Sequence, residues 1–209
     1  MRIKICGVTG LEDAQMCADA GADFLGFNFY KPSPRYIEPT RARAVIETLR
    51  LENPRVEAVG VFVNEPTEEV ARIARLANLD AVQLHGDERA DDCRRLMDEG
   101  LRVTKALRVG DDFKLETCSD FGFCDAVLLD AFDKNLYGGS GARFDWNAAR
   151  QVVNLVPRLI LAGGLNESNV GEAILVVAPF GVDVASGVES AAGVKDALKV
   201  RAFLEAARS

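Results

Sequence analysis

Histidine is almost absent from this sequence, because His85 is the single copy among 209 residues. Five cysteines occur, but no two of them form a C-x-x-C pair. Zinc sites are usually built from clusters of cysteine and histidine, so this composition argues against a zinc site. The odd number of cysteines likewise argues against a disulfide framework.

Long apolar runs and an excess of basic residues are also missing. No stretch reaches the roughly 20 apolar residues that a membrane-spanning helix needs. The chain begins with Arg2-Ile3-Lys4-Ile5 and lacks the apolar core of a signal peptide, so we expect a cytoplasmic protein with no membrane partner. Acidic residues outnumber basic ones by 32 to 25, for a formal net charge of −7. Nucleic-acid binders usually carry a basic face, so this charge disfavours that class.

Short runs rich in Val, Ile, Leu and Phe alternate with longer amphipathic segments. The predicted strands are Arg2–Cys6, Phe24–Phe29, Val56–Val63, Ala81–His85, Arg102–Leu107, Ala126–Asp130, Arg158–Ala162 and Val182–Ala185. The predicted helices are Leu11–Ala20, Thr40–Leu51, Glu68–Ala77, Glu88–Glu99, Asp145–Val153, Glu167–Val177 and Val194–Ala207, with a weaker pattern over Asp111–Ser119. Eight strands that alternate with helices are typical of the α/β class and of a (β/α)8 TIM barrel. With no linker-like stretch, we expect a single domain over residues 1–209.

Local signals agree with this frame. Gly21 and Gly100 follow predicted helices, as C-terminal caps often do, and Asn166 is placed as the N-cap of a later helix. The alternative fold is a doubly wound open sheet, which usually carries a G-x-G-x-x-G turn after its first strand. The residues Cys6-Gly7-Val8-Thr9-Gly10 do not fit that turn.

Polar residues are predicted on the inner face of the barrel. Because side chains alternate along a strand, Lys4, Cys6, His85, Asp130 and Asp183 should point inward. Three of them, Cys6, His85 and Asp130, come at the carboxyl ends of strands, where active sites of this fold lie. Each alone has an ordinary explanation, as a core filler, a backbone partner or a helix cap. We expect Lys4 to pair with Asp183 across the first and last strands, because a buried lysine without a partner is costly.

Glycines follow the last two strands, at Gly163-Gly164 and in Ser186-Gly187. Backbone N–H groups can approach an anion closely where Cβ is absent, and this position is the usual phosphate site of the fold. The segment Tyr30–Tyr36 contains two prolines and presents Arg35, which suits an anionic substrate. A third glycine cluster, at 137–141, is either a lid over the site or an ordinary surface loop.

Several of these segments together resemble a known family. They are KICGVT at 4–9, GFNFYKPSPRYI at 26–37, GVFVNE at 60–65, AVQLHGDE at 81–88, LLDAFD with LYGGSGARFDW at 128–146, LAGGLNESNV at 161–170 and VDVASGVES at 182–190. In this order the set resembles phosphoribosylanthranilate isomerase, a barrel family of tryptophan biosynthesis, over nearly the whole chain.

The resemblance implies a reaction and roles. N-(5-phosphoribosyl)anthranilate would undergo an Amadori rearrangement to the deoxyribulose 5-phosphate product, with no cofactor and no metal. Cys6 matches the general base, Asp130 the general acid, and Arg35 the contact for the anthranilate carboxylate, whereas His85 is a weaker candidate for a substrate contact. The partner would be the phosphorylated small molecule, and the protein would be a monomer or a homodimer.

The Cys6 thiol needs help to ionise at neutral pH, and Lys4, two residues earlier on the same face, is the expected source. Two positions depart from the family pattern, since Ala185 stands where many members have serine and Ala192 where many have proline. The alternatives left open are another phosphosugar barrel and a catalytically silent barrel that only binds a phosphorylated ligand.

Overall fold

Parallel strands close into a barrel in the order in which they occur in the chain. The computed structural model describes residues 1–109, 113–131 and 146–209. Within these ranges the barrel strands are β1 Arg2–Cys6, β2 Phe24–Asn28, β3 Glu57–Phe62, β4 Ala81–Leu84, β5 Val103–Val109, β6 Ala126–Ala131, β7 Leu159–Ala162 and β8 Gly181–Val184. A two-stranded antiparallel sheet follows, formed by β9 Glu189–Ala191 and β10 Val194–Lys195.

Helices cover the outside of the barrel. They are α1 Leu11–Asp19, α2 Pro39–Glu52, α3 Thr67–Ala77, α4 Ala90–Asp98, α5 Trp146–Val152, α6 Val170–Val177 and α7 Ala197–Arg208. Short 3₁₀ turns occur at Leu115–Phe121 and at Ser186–Val188. The predicted (β/α)8 barrel is therefore confirmed, with each predicted strand found to within two residues of its expected bounds.

Two predicted features differ from the structure, and a third lies where the structure is not described. The weaker predicted segment Asp111–Ser119 is described only from residue 113, where a 3₁₀ turn covers Leu115–Phe121. The glycine cluster at 137–141 lies outside the described residues. Asn166 is not the N-cap of α6, which begins at Val170. The reason is that the Oδ1 atom of Asn166 accepts the Ser168 N–H at 2.9 Å, so a separate turn forms before the helix.

The apolar residues form two layers on either side of the strands. The larger core lies between strands and helices. A separate cluster lies inside the barrel and consists of Ala106, Ala126, Leu128, Ile160 and Ala162. Ala126 and Leu128 have the same parity along β6 as Asp130, which was expected to face inward, so the cluster agrees with the predicted alternation.

The barrel closes between β1 and β8 around a buried ion pair. Lys4 is opposite Asp183 in the parallel register, and its Nζ atom lies 3.0 and 3.1 Å from the two carboxylate oxygens. The side chains are only 3% and 7% exposed. Burial by itself lowers the pKa of the Lys4 ammonium, but attraction to Asp183 and Cys6 outweighs it, so the pKa is raised. The predicted pairing is confirmed.

Breaking this pair should destabilise the barrel. In Lys4→Met the Asp183 carboxylate stays buried without its partner, and we expect the free energy of unfolding to fall by about 3–5 kcal/mol. The matched variant is Lys4→Met with Asp183→Asn, which removes the orphaned charge and should recover much of the loss. Urea denaturation of both proteins measures the difference. Equal stability of the single variant and the unmodified protein would contradict the structural role of the pair.

Candidate active site

Cys6 ends β1 at the carboxyl-terminal mouth of the barrel. The next residue, Gly7, has φ of +79°, a backbone region that favours glycine, and it turns the chain away from the strand. Gly26 of β2 pairs in register with Cys6. A Cβ atom at Gly26 would lie 2.7 Å from the Cys6 Sγ atom and 3.1 Å from the Lys4 Nζ atom. A glycine is therefore needed where thiol and ammonium meet.

The surroundings of Cys6 act on its ionisation in opposite directions. Burial raises the pKa of the thiol, the Lys4 ammonium lowers it, Asp183 raises it, and Lys195 lowers it more weakly. The net result is a pKa above the ordinary value of a thiol. Lys4, the expected source of help for ionisation, does lower the pKa of the Cys6 thiol, but burial together with the Asp183 carboxylate raises it by more.

Asp130 is the second-last residue of β6, and its side chain lies next to the only histidine of the chain. Its Oδ2 atom lies 3.0 Å from Nε2 of His85, and Nδ1 of His85 lies 2.9 Å from Nε2 of Gln83. When the Gln83 amide donates, His85 is neutral and its Nε2–H donates to the Asp130 carboxylate. The Asp130 side chain is 26% exposed, so it can also face a molecule in the mouth. His85, expected as a substrate contact, is first of all the partner of Asp130.

The loop that carries His85 is held by a buried ion pair that sequence reasoning missed. Lys105 on β5 lies 2.7 Å from a Glu88 carboxylate oxygen, and its Nζ atom also donates to the Gly86 carbonyl at 2.7 Å. Glu88 in turn accepts the backbone N–H groups of Asn64 and Gly86. A lysine inside the apolar run of β5 was the available signal, because a buried lysine needs an acidic partner.

Arg35 lies over the turn at the end of β1. A Cβ atom at Gly7 would come within 2.4 Å of the Arg35 Cδ atom, so this glycine allows the arginine to cross the turn. The guanidinium donates from Nε and Nη2 to the two oxygens of Glu189, at 2.8 and 2.6 Å. Its side chain is 23% exposed. Glu189 was not among the predicted site residues.

The two predicted phosphate loops lie at neighbouring strands of the barrel. Gly163 and Gly164 both have positive φ, of 86° and 64°. A Cβ atom at Gly187 would lie 2.0 Å from the carbonyl oxygen of Leu165, so the loops after β7 and β8 touch at this glycine. Gly164 and Ser186 are both exposed at the mouth. The arrangement leaves backbone and hydroxyl donors available to an anion.

The part of the chain that the structure describes contains neither a candidate metal site nor a membrane-spanning helix. No group of three or more His, Cys, Asp and Glu side chains in residues 1–109, 113–131 and 146–209 is arranged to hold a metal ion. Over the same ranges, none of the helices has the length and apolarity needed to cross a membrane.

Comparison with known proteins identifies the family of the chain. The family model described as N-(5'-phosphoribosyl)anthranilate (PRA) isomerase matches residues 3–206. The chain belongs to this family. A curated relative, the N-(5'-phosphoribosyl)anthranilate isomerase of Trichlorobacter lovleyi, is 48% identical over 208 residues, which cover 100% of this chain and 98% of the relative.

Solved structures of the same family have the same fold. The phosphoribosyl anthranilate isomerase of Thermotoga maritima superposes with a TM-score of 0.91 at 42% identity, over 100% of this chain and 98% of the other. A second structure of a phosphoribosyl anthranilate isomerase has a TM-score of 0.87 at 40% identity, with the same coverages. That protein is in complex with reduced 1-(o-carboxyphenylamino)-1-deoxyribulose 5-phosphate.

The ionisation of Cys6 can be read from its reaction with iodoacetamide. Because the pKa of its thiol is raised, the alkylation rate should climb about tenfold per pH unit from pH 7 to beyond the ordinary thiol pKa of about 8.5. In Lys4→Met a lowering charge is gone, so the curve should move to higher pH. Peptide mapping by mass spectrometry separates Cys6 from the four buried cysteines. A rate that is already level near pH 7 would contradict the raised pKa.

Proposed function

We propose that this chain converts N-(5'-phosphoribosyl)anthranilate to 1-(2-carboxyphenylamino)-1-deoxyribulose 5-phosphate in tryptophan biosynthesis, by acid–base catalysis with Cys6 and Asp130. The reaction is that of an intramolecular oxidoreductase of the aldose–ketose type. The observation that carries the proposal is the placement of a thiol and a carboxyl at the same mouth of the barrel, at the ends of β1 and β6. Membership in the isomerase family supports the same substrate.

The first half of the reaction is ring opening. Asp130 donates a proton to the furanose oxygen, the bond from that oxygen to C1 breaks, and the anthranilate nitrogen forms a protonated Schiff base with C1. Asp130 is left as a carboxylate, which the His85 N–H stabilises at 3.0 Å. Ring opening thus places negative charge where a hydrogen-bond donor already lies.

The second half is proton removal from C2. The Cys6 thiolate takes this proton, a C1–C2 double bond forms, and the electrons of the C=N bond move to nitrogen to give an enolamine. Transfer of a proton from the 2-hydroxyl to C1 then yields the ketone. Cys6 finally releases a proton to solvent and Asp130 takes one up, which restores the base and the acid. Each positioned acid or base contributes about 10²–10⁴-fold to the rate. The proposal includes no cofactor and no metal.

The substrate supplies two anions, and each has a candidate site. Arg35 would bind the anthranilate carboxylate, because Glu189 uses only the Nε and one Nη2 donor of its five. The loops with Gly163, Gly164, Ser186 and Gly187 would bind the phosphate. His85, which lies beside Asp130, would contact the substrate there.

The remaining parts of the proposal concern the setting of the enzyme. We place it in the cytoplasm as a single domain, as a monomer or a homodimer, with the phosphorylated small molecule as its partner and neither nucleic acid nor membrane. Sedimentation analysis would distinguish the two assembly states from larger ones.

The acid and base roles can be tested by turnover, with fluorescence of the anthranilate group as the signal. We expect Cys6→Ser and Asp130→Asn each to lower kcat by about 10²–10⁴-fold, because each removes one proton-transfer group. Asp120→Asn is the matched control, since this exposed aspartate should leave kcat unchanged. An inactive unmodified protein would favour the catalytically silent barrel. Full activity of Asp130→Asn would overturn the acid assignment.

The phosphate loops can be tested with two equivalent glycine substitutions. Gly164 and Gly100 have φ of 64° and 85°, and a Cβ atom at either would meet nothing within 4 Å. Alanine should therefore strain both positions by a similar amount, about 1 kcal/mol. Only Gly164→Ala should raise KM and weaken competitive inhibition by inorganic phosphate, by about threefold to tenfold. Equal effects of the two substitutions on KM would count against this phosphate site.

A further inference from the structure

A short hairpin beyond the last barrel strand lies across the mouth. We call the segment 189–195, which contains β9 and β10, the brace hairpin. The hydroxyl of Thr9, in the loop after β1, donates to the carbonyl of Gly193 at 2.8 Å. Gly193 itself has φ of +81°, and a Cβ atom there would lie 3.2 Å from the carbonyl of Pro34. The brace hairpin therefore packs on the loop that follows Cys6 at the end of β1 and on the loop after β2 that carries Arg35.

Lys195 at the end of this hairpin is buried among the strand ends. Its side chain is 0% exposed. The Nζ atom donates to the carbonyl of Cys6 at 2.5 Å, to that of Ala185 at 3.3 Å and to Oε1 of Glu189 at 2.8 Å. These contacts use the three donors of an ammonium group. One side chain thus joins the end of β1 to the end of β8.

Glu189 connects this lysine to the predicted substrate arginine. Its Oε1 atom accepts from both Lys195 and Arg35, and its Oε2 atom accepts from Arg35. The planar guanidinium is held along its Nε–Nη2 edge, and the Nη1 group and one Nη2 hydrogen stay available to a second carboxylate. Glu189 therefore orients Arg35 for an anion and leaves an edge of the guanidinium open.

We propose that Lys195 is a positioning residue of the reaction, which fixes the backbone of Cys6 directly and the guanidinium of Arg35 through Glu189. This inference rests on the proposed function. A purely structural role is the alternative, but a buried lysine–glutamate pair adds little net stability compared with an apolar pair. The contacts of Lys195 instead reach the carbonyl of the candidate base Cys6 at the end of β1 and the carboxylate of Glu189, which holds Arg35.

The contact of Lys195 with the Cys6 backbone is one arm of the proposal, and its connection through Glu189 to Arg35 is the other. The variants Glu189→Gln and Lys195→Met separate the two arms. Glu189→Gln removes the charge that orients Arg35 but keeps an amide oxygen for the Lys195 Nζ donor, so KM should rise about tenfold while kcat falls by less than in Lys195→Met. Lys195→Met affects both arms, so kcat should fall about tenfold and KM should rise as well. Lys199→Met is the control, because this exposed lysine reaches only the backbone carbonyl of Glu189, and both constants should stay unchanged.

Binding of reduced 1-(o-carboxyphenylamino)-1-deoxyribulose 5-phosphate, measured by titration calorimetry, reports the Arg35 arm without turnover. Glu189→Gln should bind it about tenfold more weakly than the unmodified protein. Unchanged binding by Glu189→Gln, or a folded Lys195→Met with both constants of the unmodified protein, would overturn the inference and leave the isomerase proposal standing. An unmodified protein with no turnover would overturn both. If Lys195→Met does not fold, Lys195→Arg is measured in its place. Full activity of both single variants, Glu189→Gln and Lys195→Arg, would then overturn the inference.

Discussion

Closure of the barrel between its first and last strands is the constraint on which the rest of the site depends. Lys4 and Asp183 meet at this seam, both almost fully buried, and neither charge is tolerable there without the other. Cys6 is the next inward-facing residue of β1 after Lys4. The Lys195 ammonium donates to the carbonyls of Cys6 and Ala185, at the carboxyl ends of β1 and β8. The seam is therefore both the closure of the fold and the support of the candidate base.

The distribution of charge explains how an acidic protein can take an anionic substrate. The overall charge is −7, yet the buried Lys4 and Lys195 and the partly exposed Arg35 lie around Cys6. Asp183 pairs with Lys4, whereas Glu189 pairs with both Lys195 and Arg35, so these three cations face two carboxylates and one positive charge is left over. The binding of an anion therefore depends on the local electrostatic potential and on hydrogen-bond donors with fixed directions, and less on the total charge of the protein.

The sequence predicted the parts of the site that follow from strand alternation. Apolar runs located the strands, and their parity placed Cys6 and Asp130 at the mouth and paired Lys4 with Asp183. The prediction for Asn166 was wrong because an Asx turn competes locally with a helix cap, and a pattern of residue types does not decide between them. Glu189 and Lys195 were missed, since Arg35 and Cys6, which they hold, are distant from them in the chain. The Lys195 contact to Cys6, for example, spans 189 residues. Lys105 was missed although its place in the apolar run of β5 was an available signal.

The most direct measurement of the central claim is the isotope effect on kcat/KM with substrate deuterated at C2. If Cys6 removes the C2 proton and Asp130 opens the ring, Cys6→Ser makes the C2 step limiting and should show a large primary effect. Asp130→Asn makes ring opening limiting, and its isotope effect should fall toward one. Equal isotope effects in the two variants, or a larger effect in Asp130→Asn, would contradict this division of acid and base.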